Sequence, residues 1–354
     1  MSPPEQNGST SVDNGDRGGS ANAEAASVLS KVDTHVGHGK VAACNGGTHD
    51  IKTGLFGIRW DRLPGEVDAL NRLVDKKIEL IVADCKKKGN PLPPEVDAVL
   101  ATGKPAEVYK ERWTILPVFN ALFCIYNLSK ALIYGDTLQT LVAFSFVYVY
   151  FDFFSGVLHV LHDNPVLMKV PITHDPCLEF QWHHHIPQDI ASKSFLEVCG
   201  DLNLIIISLL IVFFAPAVGP FKYGFGYTLE TTPMAASIGY SKCLMAYFGQ
   251  LSHSMSHMPP HRRPKWVKIL QNNSIMLNPK QHSVHHKSYD DNFCIGNGWF
   301  NPIMTHLLKF TNSTHVFFGG SSNTNALFWL TFFVTILFVD VSVIAYGFSL
   351  LGFK

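Results

Sequence analysis

Long apolar runs alternate with short polar stretches along the C-terminal two-thirds of the chain, and this pattern governs the rest of the reading. Residues 115–134 and 138–161 are each long enough to cross a ~30 Å hydrocarbon core at about 1.5 Å per residue. Residues 202–218 form a third strong span and 326–350 a last one. Residues 235–251 are a weaker candidate, because Lys242 and several serines interrupt them. No strand-period alternation separates these runs. The pattern therefore predicts an all-α integral membrane protein with about four to five transmembrane helices, and not a barrel.

Upstream the pattern changes. Residues 1–50 are rich in Gly, Ser, Asn and Ala and poor in large apolar groups. Such a segment buries too little surface to offset its ordering entropy and reads as disordered. It lacks the apolar core of a secretory signal, and Glu5, Asp13, Asp16 and Glu24 argue against a transit peptide. Within 66–86, Val67, Leu70, Leu73, Val74, Ile78 and Ile81 recur at helical spacing, predicting an amphipathic helix. Prolines 91, 93, 94 and 105 then mark a stiff connector. The predicted organisation is a disordered region (1–50), a cytosolic helical extension (51–112) and a membrane domain (113–354).

Composition narrows the classes. Charged residues are 16% and hydrophobic ones 47%, fewer charges than a soluble domain usually carries. Lys+Arg and Asp+Glu balance at 28 each, leaving no bulk basic field for nucleic acid. The seven cysteines form no CxxC pair, hence neither a zinc knuckle nor a disulfide framework. The 17 histidines are the anomaly.

Charge distribution orients the spans. If all five cross, Lys104, Lys110, Arg112, Lys169, Lys193, Arg262, Arg263, Lys265, Lys268, Lys280 and Lys287 share one side. Only Lys222 and Lys354 fall on the other. The positive-inside rule makes the first side cytosolic, together with the N-terminus. Every histidine group then lies at that face: His159, His162 and Asp163; His183, His184 and His185; His253 and His257; His282, His285 and His286. His253/His257 and His159/Asp163, at i, i+4, each share a helix face. Asp152, two turns before His159, is placed to orient an imidazole as a hydrogen-bond acceptor. Asp163 is open to two roles, ligand or hydrogen-bond acceptor, and His162 and His185 are open as additional ligands. His174 reads as a surface loop residue. Eight histidines and a carboxylate exceed the needs of one tetrahedral zinc, so two metal ions are expected. Thiolates and HExxH are missing from the pattern, which favours redox-active iron over a zinc peptidase. Asp340, inside the last span, is costly there; with Asn120 and Asn127 as interhelical partners it reads as structural. The aromatic run 144–154 reads as helix packing.

The motifs GVLHVLHD (156–163), FQWHHHIP (180–187), EVCGDLN (197–203), HSMSH (253–257), HSVHH (282–286) and CIGNGWFNPI (294–303), in this order, resemble the lipid desaturase domain family, also called Kua or CarF-like. That family includes plasmanylethanolamine desaturases and a plastid acyl desaturase. The resemblance places the family's ligands on His159, Asp163, His183, His184, His253, His257, His282, His285 and His286. It implies two iron ions that activate O2 to desaturate a membrane lipid chain, with plasmanylethanolamine as the first substrate expected. A glycerolipid acyl chain, a hydroxylase outcome and a non-enzymatic metal sensor are the alternatives. The chain carries no flavin or nicotinamide motif, so electrons are expected from cytochrome b5 in an endoplasmic reticulum membrane, or from ferredoxin in a plastid. The sequence departs from the plasmanyl enzymes at Lys193, where they carry a further histidine, and at Gln181 and Trp182.

Overall fold

The computed structural model describes residues 66–102, 116–200, 202–214, 233–317 and 320–353. The expected disorder of 1–50 lies outside them, as do the first residues of the extension. Among the described residues the structure is helical and contains no strand. Apart from Lys287–Tyr289, these residues fall in one compact unit.

Helix α1 (Glu66–Lys88) and helix α2 (Pro94–Thr102) form the extension. The apolar stripe of α1 works as its periodicity predicts: Leu70, Val74 and Ile81 are buried, while Leu73 at the stripe's edge is 46% exposed. With Val96 and Val99 they join the same apolar cluster as the membrane helices.

Among the described residues, three helices are long and apolar enough to cross a membrane: α3 (Leu116–Tyr134), α4 (Thr137–His162) and, late in the chain, Ser322–Leu350. Asp136 caps α4 by accepting the Gln139 N–H at 3.0 Å, which satisfies one of the open donors of the first turn. After a 3-10 turn at Pro165–Lys169 come α5 (His174–His185), α6 (Gln188–Ser192) and α7 (Phe195–Val198). The expected third span is described as a 13-residue helix, α8 (Leu202–Phe214), and its remaining residues lie outside the description. The weak candidate forms α9 (Pro233–His257), 25 residues long and so able to cross by length. Short helices α10 (Lys265–Asn272) and α11 (Pro279–Ser288) follow, then α12 (Asn301–Phe317) and α13 (Ser322–Leu350).

Helices α4 and α9 pack closely because α9 has no side chain at Gly249. A Cβ there would come within 2.5 Å of the Phe151 ring. In an apolar surrounding, such close packing replaces the hydrophobic drive that water would supply. The 144–154 aromatic run packs as expected, with Phe146 edge-on to Phe348 at 5.3 Å and Phe154 against Phe333 at 5.6 Å.

Two expectations are corrected. Asp340 does not pair with Asn120 or Asn127. Its carboxylate binds Lys242 of α9 and accepts the Tyr150 hydroxyl of α4 at 2.8 Å. Asn127 instead donates to its own helix at the Phe123 carbonyl. The polar residue that weakened α9 as a span is thus the counter-ion of the polar residue in α13. Asp152, likewise, does not orient an imidazole; it binds backbone N–H groups of 297–300.

Candidate metal centre

Four helices end or lie where the histidines meet. The last turn of α4 presents His159, and Asp163 is its C-cap residue. The end of α5 presents His183 and His184. The last turns of α9 carry His253 and His257, and α11 carries His282, His285 and His286. Spacing of i, i+4 or i, i+3 keeps each helix's imidazoles on one face. Which rings become neighbours is decided by packing between helices.

The structure sorts these side chains into two groups of possible ligands. His183, His257, His282 and His286 form one; His159, Asp163, His184 and His285 form the other. In the first, the His282 Nε2 lies 2.8 Å from His257 Nε2 and 3.1 Å from His286 Nε2. In the second, the His184 Nε2 lies 2.9 Å from Asp163 Oδ1 and 3.3 Å from His285 Nε2. His285 Nε2 is also 3.2 Å from Asp163 Oδ2. The groups adjoin, with the rings of His184 and His286 centred 4.7 Å apart.

These separations fit metal ligation. Donors held ~2.0–2.1 Å from one ion lie roughly 3 Å apart at right angles and a few tenths more in a tetrahedron. Hydrogen bonding alone does not account for the arrangement. A neutral imidazole has one N–H and one acceptor nitrogen, yet both ring nitrogens of buried His159, and Nε2 of His183, have no hydrogen-bond partner. Buried nitrogens converging without protons to share are what an ion would satisfy.

Electrostatics favour the ligating forms. Burial pushes His183 down from its ordinary 6.5 to about 4. Burial, reinforced by neighbouring imidazoles, holds His184, His282 and His286 well below that ordinary value. All four are neutral near pH 7, as a metal ligand must be. Burial disfavours the Asp163 charge, but His159 and His285 together hold its carboxyl below the usual range. Asp163 is therefore the anionic member of an otherwise neutral donor set. The His285 Nδ1 lies 2.8 Å from the Asp291 carbonyl. A carbonyl only accepts, so this bond places the proton on Nδ1 and leaves Nε2 bare.

Eight of the nine expected ligand residues fall in the two groups. The ninth, His253, stands beside the first, its Nε2 3.0 Å from His282 Nε2 and 3.2 Å from His257 Nε2. The open histidines go elsewhere. His162 is buried with its ring centred 4.7 Å from that of Phe180 and joins neither group. His185 binds Glu95 of α2 at 2.8 Å, and His174 binds the Met168 carbonyl at 2.6 Å. Lys193 is buried in ion pairs with Glu179 and Asp189. Phe180 and Phe293 stand edge-on to His159, at 5.1 and 6.1 Å, and wall the centre with apolar surface. The role of Phe293 was missed: nothing in its local sequence distinguishes a site wall from ordinary core.

A helical protein with membrane-length spans and two adjoining histidine-rich donor groups at their ends is the class that fold and site define. Residues 148–319 match the family model of the lipid desaturase domain. The chain is 26% identical to Fatty acid desaturase 4, chloroplastic, of Arabidopsis thaliana over 48% of its own length and 49% of that protein's. It is 28% identical to the plasmanylethanolamine desaturase of Myxococcus xanthus over 49% and 58%, and 29% identical to plasmanylethanolamine desaturase 1 of Mus musculus over 42% and 54%. The chain thus spans about half the length of the curated relatives it matches. No solved structure matches it.

Proposed function

We propose that the protein is a membrane lipid desaturase whose two donor groups hold a pair of iron ions. The observation that carries this reading is the pairing of two four-donor groups within the stretch that matches the lipid desaturase model. His183, His257, His282 and His286 would hold one ion, with His253 beside it; His159, Asp163, His184 and His285 would hold the other. The site residues do what protein groups do in such a reaction, which is to bind, orient and exclude water. Asp163 offsets part of the charge of its ion. The His285–Asp291 bond fixes one ligand's tautomer, and Phe180 and Phe293 keep the centre dry. Bound iron would supply O2-dependent oxidation, in which a –CH2–CH2– unit, O2, two electrons and two protons give –CH=CH– and two waters.

The lipid is proposed as plasmanylethanolamine, whose desaturation gives a vinyl ether; an acyl chain of a glycerolipid comes second. Two of the matched relatives are named plasmanylethanolamine desaturases, and two are named fatty acid desaturase 4 or 4-like, which supports both lipid classes. In this reading five helices cross an endoplasmic reticulum membrane. The N-terminus and the metal centre face the cytosol, where cytochrome b5 delivers electrons; ferredoxin would do so in a plastid.

The test is comparative lipidomics of cells expressing the chain or its His286→Ala variant under 18O2. Gain of vinyl-ether lipids with the wild type alone supports the reading. Gain of unsaturated acyl chains moves the substrate to the second lipid class. An 18O-bearing lipid would make the protein a hydroxylase, and no lipid change in iron-loaded cells would make it a sensor.

A further inference from the structure

We propose that Asp152 is a positioning residue of the metal centre, holding in place the helix that carries His282, His285 and His286. The inference rests on the metal-pair reading above and adds a role for a buried carboxylate outside both donor groups.

Asp152 lies seven residues before His159 on α4 and is fully buried. Its Oδ1 accepts the N–H groups of Asn297 at 2.8 Å and Gly298 at 3.0 Å, and its Oδ2 accepts that of Phe300 at 2.9 Å. One turn on, the Ser155 hydroxyl oxygen accepts the Ile295 N–H at 3.1 Å. Positions 152, 155, 159 and 163 lie along one face of α4 and its cap. The lower half of that face grips the 294–300 segment, and the upper half offers His159 and Asp163 as ligands.

A second grip comes from α9. The Ser252 hydroxyl donates to the Gly296 carbonyl at 2.7 Å and accepts the Leu277 N–H at 2.8 Å. Ser252 immediately precedes His253. The chain entering α11 at Leu277 and the chain leaving it at 294–298 are therefore fastened to each other and to the two helices that supply His159, His253 and His257. Backbone shape follows the grip. A Cβ at Gly296 would sit 2.9 Å from Asp152 Oδ1, and Gly298 has φ +84°, a conformation that favours glycine.

The carboxylate matters because it offers acceptor oxygens in two directions at once. Asparagine keeps one and turns an N–H2 group toward another N–H. Alanine leaves three buried N–H groups without their acceptor.

The test uses the full chain purified in detergent, stripped by chelation and titrated with cobalt(II). Metal per chain, affinity and the ligand-field absorption of bound cobalt are measured. Asp340→Asn, a buried carboxylate outside both donor groups, controls for general loss of stability. The wild type is expected to take up two cobalt ions. Asp152→Ala should bind about ten- to a hundred-fold more weakly, the range for groups that support a metal's ligands, with an altered absorption spectrum. Asp152→Asn should fall between, and decides the matter if the alanine variant does not fold. Wild-type affinity and spectrum in both variants would overturn the proposal, as would a weakening no greater than in Asp340→Asn. A wild-type chain that binds no cobalt would overturn the metal-pair reading and this one with it.

Discussion

The Lys242 ammonium lies 2.6 Å from Asp340 Oδ2 and 2.8 Å from Oδ1, joining α9 to α13 across 98 positions of sequence. Both side chains are buried. The Lys242 Nζ also donates to the Leu337 carbonyl and sits 4.6 Å from the centre of the Phe154 ring. Removing one member leaves a buried charge without its partner, which costs about 3–5 kcal/mol, whereas an apolar pair of similar volume is often neutral. Lys242→Met and Asp340→Leu should each lower the unfolding temperature in detergent, and the double variant should recover most of it. Additive losses in the double variant would contradict the pairing.

The division of ligands predicts stoichiometry. On the proposed metal pair, His257→Ala breaks the first group and His159→Ala the second, so each should reduce bound iron from two per chain to about one. His162→Ala, outside both groups, should keep the full complement. Metal analysis of the purified variants checks this, and an unchanged count in His257→Ala would refute the grouping.

The His185–Glu95 bond ties the extension to the domain through the third histidine of the HHH run. A hydrogen bond to a charged group is worth about 1.5–3 kcal/mol. Glu95→Gln should therefore loosen α1 and α2, read as faster proteolysis within 66–102, while bound iron stays the same. Loss of iron with no change in proteolysis would assign His185 to the metal centre.

Acid should destabilise the metal-free protein. His183 titrates near 4 when folded and near the ordinary 6.5 when unfolded. Between these values the unfolded chain takes up a proton that the folded one does not, so stability falls as pH drops through that window. The buried His184, His282 and His286, also held down, add in the same direction. Denaturant titrations at pH 7 and pH 5 measure it, and equal stability at the two values would contradict the burial of these rings.

Local pattern was enough for the helices and for which histidines share a helix face. The apolar runs give α3, α4 and α13, and the amphipathic spacing gives α1, because a helix's length and buried face are written in consecutive residues. The i, i+3 and i, i+4 histidine spacings survive folding for the same reason. Partnership between helices was not legible. Asp340 finds Lys242 instead of the asparagines proposed for it, and Asp152 finds backbone amides instead of an imidazole. The HHH run is split so that His183 joins one group, His184 the other, and His185 turns to Glu95. Adjacent residues on a helix point about 100° apart, so a single run can serve three neighbours. Only the packing of α4, α5, α9 and α11 against one another decides which neighbour each side chain meets.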